Sequence, residues 1–206
     1  TELETKNEKA KRVFNESIEG EFILITFIRW GGVFFMLKIT DLQGNTEYLT
    51  GIKNLKRKRK ANGDKTIDFT VLKDTKNEHS FHMVQEESKF EFQSETYVIK
   101  KIREKGVGNR STKQVSAIHK FFDDMNRHYI EDSLTLTKTF SEALSFIFSG
   151  TSYDFVIVDD FDNQDVGDAF GDAYALKLFK KALEMFGAEC RIEGKAVYLE
   201  REIGSR

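Results

Sequence analysis

The sequence predicts an α+β fold: a β-rich, barrel-like first half followed by a small αβαββ subdomain. Three observations lead there. Between residues 36 and 122, short alternating apolar segments recur with Gly, Asn and Asp turn signals between them. After residue 133, two stretches take up the 3.6-residue apolar period of a helix, and a glycine follows each. The chain of 206 residues contains 19 Phe, too many for a disordered chain, and no Pro. Ordinary usage would give about ten Pro, so the turns fall to Gly, Asn and Asp. A chain of this length buries roughly 70% of its unfolded surface, enough for a substantial core.

The elements follow in order. Thr1 to Glu21 is Lys/Glu-rich with helical character, and the continuous apolar run Phe22 to Ile28 reads as a buried strand. The regular pattern opens only at Met36, which reads as the natural start. Residues 1–35 are therefore expected to be a non-native N-terminal extension, from translated upstream sequence or a fused neighbour. Leu37–Thr40 and Thr46–Leu49 form a hairpin around Asp41–Asn45. Lys53 to Lys60 is a basic strand or loop, and Ala61–Asp64 is a reverse turn, because Asn-Gly takes positive φ at little cost. Ile67–Val71, Phe90–Phe92 and Tyr97–Ile99 alternate as half-buried strands do. Lys113 to Phe122, with Val115, Ala117 and His119 at period two, reads the same way. Five or more such strands suggest a small barrel or sandwich, assigned to residues 36–132.

Residues 133–206 change character. Thr139 to Phe148 places Phe140, Ala143, Leu144 and Ile147 on one helical stripe, with Thr139 or Ser141 as cap and Gly150 as stop. Tyr153–Val158 is a strand and Asp159–Asp172 an acidic loop. Ala173–Phe186 is a second amphipathic helix ended by Gly187. The hairpin Glu189–Ile192, Glu193-Gly194, Lys195–Leu199 closes the pattern, with two helices on one face of a small sheet.

Composition removes several function classes. Lys and Arg total 32 against 34 Asp and Glu, a formal charge of -2, which argues against a general nucleic-acid binder. A single Cys excludes an internal disulfide and a multi-Cys zinc site. No stretch supplies the ~20 apolar residues of a membrane helix. Phe22 to Met36 comes nearest, but it contains Arg29 and a Gly pair, and it has neither a basic leader nor a cleavage site. Neither a membrane partner nor a secretory route is expected.

Each candidate for chemistry has a plainer reading. Of the four histidines, His79 and His82 lie three apart on a polar, loop-like segment without the HExxH pattern and read as surface residues; His128 carries no motif. His119 and Asp123 would share a face if their stretch is a strand, and read as a polar edge position. Cys190 has no histidine placed to take its proton and reads as a small buried side chain. Asp154, Asp159, Asp160, Asp162, Asp165, Asp168 and Asp172 lie in a stretch free of Lys and Arg from Lys138 to Lys177. Such density can ligate Ca²⁺, but Gly167 misses the EF-hand offset, and a solvated loop near a helix N-terminus needs no ion. The run Lys56-Arg57-Lys58-Arg59-Lys60 must alternate between two faces if it is a strand. Such a run can contact nucleic acid or an acidic protein surface; the strand geometry reads as a Lys-guarded edge or as a strand whose second face lines a channel or interface. Gly106 to Arg110 is a two-Gly loop, short of a phosphate cradle, and no Walker A, G-x-G-x-x-G or G-x-S-x-G motif occurs. The residues predict no catalytic, cofactor-binding or metal site.

From Met36 onward the chain resembles the prophage endopeptidase tail family of siphophage tail-tip proteins, also called tail-associated lysins or phage minor structural proteins. The resemblance rests on Leu37 to Asn45, Asn62-Gly63-Asp64, Glu87-Ser88, Tyr97 to Lys100, Val115 to His119 with Phe121-Phe122-Asp123, Ile147 to Thr151, and Phe186 to Glu189, in that order. It implies a fold similar to a phage baseplate hub, in which copies assemble as a homotrimeric ring on the distal tail protein, with the tape-measure protein as a further neighbour. It also implies a virion tail-tip location after assembly in the host cytoplasm, and a C-terminal module beyond this chain. The family name makes peptidoglycan endopeptidase activity the alternative. No specific nucleic-acid partner is implied.

Overall fold

The computed structural model describes residues 37–60, 62–107, 110–167 and 170–201. The extension assigned to residues 1–35, and Asp168 of the acidic stretch, lie outside them. Within the described residues the first half is one all-antiparallel sheet of seven strands, in the order β2-β1-β5-β6-β7-β4-β3. The strands are β1 (Leu37–Thr40), β2 (Thr46–Leu49), β3 (Ile52–Arg59), β4 (Lys65–Leu72), β5 (Lys89–Phe92), β6 (Glu95–Val107) and β7 (Arg110–His119). The expected barrel does not close: β2 and β3 stand at opposite edges and do not pair with each other. The sheet is held in register by its alternation. In β4, Ile67, Phe69 and Val71 are buried while Thr66, Asp68 and Thr70 face outward.

A helix that the sequence pattern did not announce, α1 (Glu78–Met83), links β4 to β5 and adds Phe81 and Met83 to the first core. Buried Lys113 holds its end: Lys113 Nζ donates to the carbonyls of Phe81 (2.9 Å) and Val84 (2.8 Å) and lies over the Phe81 ring. The Phe81 carbonyl also accepts from the Val84 N–H (3.3 Å), and Lys113 adds a second donor to it at the helix end, where carbonyls lack a full set of i+4 partners. Before α1, Asn77 Nδ2 donates to the carbonyls of Thr50 and Leu72, which pins the β2–β3 turn. Gly51 sits in that turn at φ +73, where a Cβ would fall 2.7 Å from the Leu72 carbonyl oxygen. Any side chain there would displace backbone.

The second half packs α2 (Lys120–Arg127), α3 (Phe140–Phe148) and α4 (Ala175–Phe186) with a three-stranded sheet, β10-β14-β13. These strands are β10 (Asp154–Ile157), β13 (Glu189–Glu193) and β14 (Ala196–Glu200). Two short ribbons complete it: β8 (Tyr129–Leu134) with β12 (Phe170–Tyr174), and β9 (Thr137–Lys138) with β11 (Gln164–Asp165). The acidic stretch expected as loop therefore contains β11 and enters β12. The α3 cap is Thr139, in a reciprocal capping box with Glu142. Gly187, at φ 63, ends α4, and its N–H and that of Ala188 bond back to Glu184 and Leu183. The core here is phenylalanine. Phe121 is fully buried with Phe122, Phe148, Tyr153 and Phe179 around it at centroid distances of 5.2, 6.3, 5.0 and 5.6 Å. α2 and Ile130 of β8 belong to this second core, and residue 132, where the first domain was expected to end, lies inside β8.

Candidate functional site

The chemistry-bearing residues gather at the seam between the halves. β7 runs directly into α2, so the expected strand stops at His119, and Phe121, Phe122 and Asp123 are helical. His119 and Asp123 therefore do not share a strand face. His119 is the N-cap of α2: the Phe121 N–H donates to its Nδ1 at 3.3 Å. The ring stands edge-on to Tyr97 and near Phe122. Burial, with the nearby Lys65 cation second, pushes its pKa down to about 4. The imidazole is thus neutral near pH 7 and carries its proton on Nε2.

Asp123 is buried in the first turn of α2 and binds Lys100 (2.8 Å) and Arg127 (3.1 Å). Lys100 is the extra residue of a bulge in β6, which aims it at α2. Lys100 also binds Glu87 (2.6 Å), and Arg127 pairs with Glu87 in turn. Two carboxylates and two cations thus join the first half to α2. Hydrogen bonding to Lys100 holds the Glu87 carboxyl below its ordinary range against a smaller opposing effect of burial. Burial would lower the Lys100 pKa, but its bonds to Asp123 and Glu87 outweigh that and raise it.

The Asn-Gly turn makes a second joint. Asn62 takes φ 49, its Nδ2 donates to the Ala188 carbonyl (2.7 Å), and its Oδ1 accepts from the Cys190 N–H (2.9 Å). The turn so caps the free edge of β13. Lys180 on α4 reaches Asp64 in the same turn (3.0 Å). Between the joints lies an open cleft of about 540 Å³, whose lining includes Lys58, Asp64, Asp68, Lys100, Asp123 and Lys180. Each of these charges has an opposite partner, Lys58 with Asp68 at 3.3 Å included. The cleft has no single sign to offer a ligand.

The basic run lies on the edge strand β3 and alternates as its strand geometry requires. Arg57 and Arg59 turn to one face, where with Lys65 they converge on Glu95, which also accepts from Tyr97 Oη at 2.6 Å. Lys56 and Lys58 turn to the other. Cys190 is half-buried, and burial pushes its thiol up to about 11, so it stays protonated at neutral pH. The remaining histidines are apart: His79 is exposed and pairs with Glu47, His82 is exposed on α1, and His128 Nε2 bonds the Ser149 carbonyl. Asp159 accepts from the Arg201 N–H, Asp165 from the Gly167 N–H and Asp172 from Tyr129 Oη, while Asp154, Asp160 and Asp162 are exposed. No three His, Cys, Asp or Glu side chains among the described residues are placed to hold a metal ion. The residues that sequence reasoning missed are Lys113, Lys100 and the side chain of Asn62. The Asn62 turn was visible, but its partners lie more than a hundred residues further along the chain.

The fold is similar to that of solved phage tail proteins. The prophage tail protein gp18 of Listeria monocytogenes EGD-e matches with a TM-score of 0.69 and 18% identity, over 80% of this chain and 50% of its own. A tail protein from Neisseria meningitidis MC58 gives 0.54 at 8% identity, over 80% and 49%. The 43 kDa tail protein of prophage MuSo2 from Shewanella oneidensis gives 0.56 at 8%, over 80% and 52%. The chain thus spans about half the length of these structures. Residues 37–119 match the prophage endopeptidase tail N-terminal domain, and residues 127–199 the prophage endopeptidase tail domain. The chain belongs to the prophage endopeptidase tail family and is a phage tail component. No curated protein matches it.

Proposed function

We propose that this chain is a structural part of the tail tip, a baseplate-hub module. Copies assemble as a ring, a homotrimer, on the distal tail protein, next to the tape-measure protein. The observation that carries the reading is the use made of the polar residues at the seam. Asp123, Lys100, Glu87 and Arg127 are engaged with one another, Lys180 with Asp64, and Asn62 with backbone, across the two domains. They fix one relative position of the halves, as a ring-building part requires. Assembly in the host cytoplasm and a place at the virion tail tip follow from the same reading. The test is to mix the chain with the distal tail protein of the same prophage and measure mass by light scattering and shape by electron microscopy. A ring containing both proteins is expected; absence of any complex overturns the proposal.

The family name favours a second reading, peptidoglycan endopeptidase activity. In this chain it would have to run through His119, Asp123 or Cys190. Release of peptidoglycan fragments by the purified chain, abolished in His119→Ala, would establish it.

A further inference from the structure

The formal charge of -2 conceals a division. From Leu37 to His119, Lys and Arg number 17 against 11 Asp and Glu, a net charge of +6. From Lys120 to Arg206 they number 10 against 17, a net charge of −7. The basic excess is concentrated on one surface. Directly opposite residues of antiparallel strands share a face. The register sets Lys56, Asp68, Ser116 and Lys101 in one row across β3, β4, β7 and β6, and Lys53, Thr70, Gln114 and Arg103 in the next. A third row adds Thr112 and Lys105. This is the solvent face of the sheet, the reverse of the face that buries Ile67, Phe69 and Val115. Its one carboxylate in these rows, Asp68, is taken by Lys58 and the Ser116 hydroxyl. Lys53, Lys56, Lys101, Arg103 and Lys105 are exposed and make no ion pair with any described residue.

The acidic half presents a surface of the opposite kind. On the β8–β12 ribbon, Tyr129 and Tyr174 are directly opposite, edge-on at 5.2 Å, and 45% and 50% exposed. Glu131, Asp132 and Asp172 beside them are exposed and make no ion pair among the described residues, and Leu136 just beyond is 74% exposed. Exposed tyrosines among acids are what a partner rich in Lys and Arg fits, because Tyr supplies apolar contact area and the acids supply steering.

We infer that the basic solvent face of the seven-stranded sheet docks the acidic tyrosine ribbon β8–β12 of a second copy of this chain. This rests on the ring-building reading and gives it an interface. The two patches are different and lie on different halves, so the contact is head-to-tail and closes into a ring at the right rotation. Among the described residues no ion pair joins the two patches, so each is open to another copy. Nucleic acid fits less well. The rows carry no aromatic side chain on which a base would stack, and a polyanion would be repelled by the acidic half.

The test is a charge swap in the full chain, read by sedimentation velocity. One variant carries Lys56→Glu, Lys101→Glu and Arg103→Glu; the other carries Glu131→Lys and Asp132→Lys. All five side chains are exposed, and circular dichroism checks that each variant is folded. The wild type should self-associate at low salt and come apart near 1 M salt, where the screening length falls to about 3 Å. Each variant alone should associate about tenfold or more weakly, and an equimolar mixture of the two should recover association. A wild type that stays monomeric at low salt, association indifferent to the reversals, or a mixture that fails to recover overturns the inference. So does a wild type that binds a DNA duplex in place of its own copies. A complex with the distal tail protein that survives both variants would leave the ring reading standing while this interface falls.

Discussion

Asn62 is the residue on which the joint between the Asn-Gly turn and β13 depends. Its side chain makes two hydrogen bonds to the backbone of the other half, at Ala188 and Cys190. Its backbone takes φ 49, which Asn tolerates and most residues do not. Asn62→Gly keeps the backbone and removes both bonds, each about 1 kcal/mol net, so the expected loss is about 2 kcal/mol. Asn62→Ala adds the left-handed penalty of roughly 1 kcal/mol, for about 3 kcal/mol in all. Urea unfolding followed by circular dichroism measures both, provided the slope m is unchanged. Cys190 gives an independent readout. It is half-buried directly beneath the joint, so its reaction with a thiol reagent at fixed pH should quicken in both variants. An Asn62→Gly midpoint indistinguishable from wild type, with unchanged thiol reactivity, would refute the reasoning and show that the turn merely rests on β13.

Two further outcomes are expected. The folded pKa of His119 is about 4, below its ordinary 6.5, so the unfolded chain binds the proton first as pH falls. Its contribution is fully present above pH 6.5 and lost progressively down to pH 4, by on the order of 3 kcal/mol. The difference in urea midpoint between wild type and His119→Asn, which keeps a capping acceptor without a titrating ring, should shift across that window; a constant difference argues against a buried neutral imidazole. Phe121→Ala removes a fully buried ring surrounded by four others and should cost about 3–5 kcal/mol in thermal or urea unfolding. A loss below about 1 kcal/mol would mean that this core repacks freely.

Local pattern made the hairpins and the two longer helices legible, because each is specified by residues close in sequence. The Thr139 cap, the Gly187 stop and the Asn62-Gly63 turn all stand where their side chains require. What the pattern could not supply was decided by distant partners. Alternation gives strands but not their order, so an open sheet with β4 beside β7 looked like a barrel. Phe121-Phe122 continued the apolar run of β7, and a short apolar run does not distinguish strand from helix. His119 is an uncommon N-cap, so it gave no stop signal there. β11 has two residues and exists only because β9 lies beside it, and its sequence, Gln164-Asp165, reads as loop. At the seam the residue types were visible and the pairings were not: nothing near Asn62 points to Cys190, and nothing near Asp123 points to Lys100.

The position of α2 explains why two domain matches make one mechanical part. The first match ends at residue 119 and the second begins at 127, so this helix occupies the interval between them. An eight-residue connector could act as a hinge, but α2 is held on both sides. Phe121, Phe122 and Met125 are buried in the phenylalanine core of the second half. Asp123 and Arg127 are ion-paired to Lys100 and Glu87 of the first. Turning one half against the other would have to break that network, strip the His119 cap and pull Asn62 from β13. None of these contacts is large alone, and exposed ion pairs contribute little singly. Their geometry is what matters, because they act at separate points and together leave no common axis for rotation. The basic sheet face and the acidic ribbon are thereby held at a constant angle, and on the proposed ring assembly that angle would decide whether successive copies close or run on as a filament.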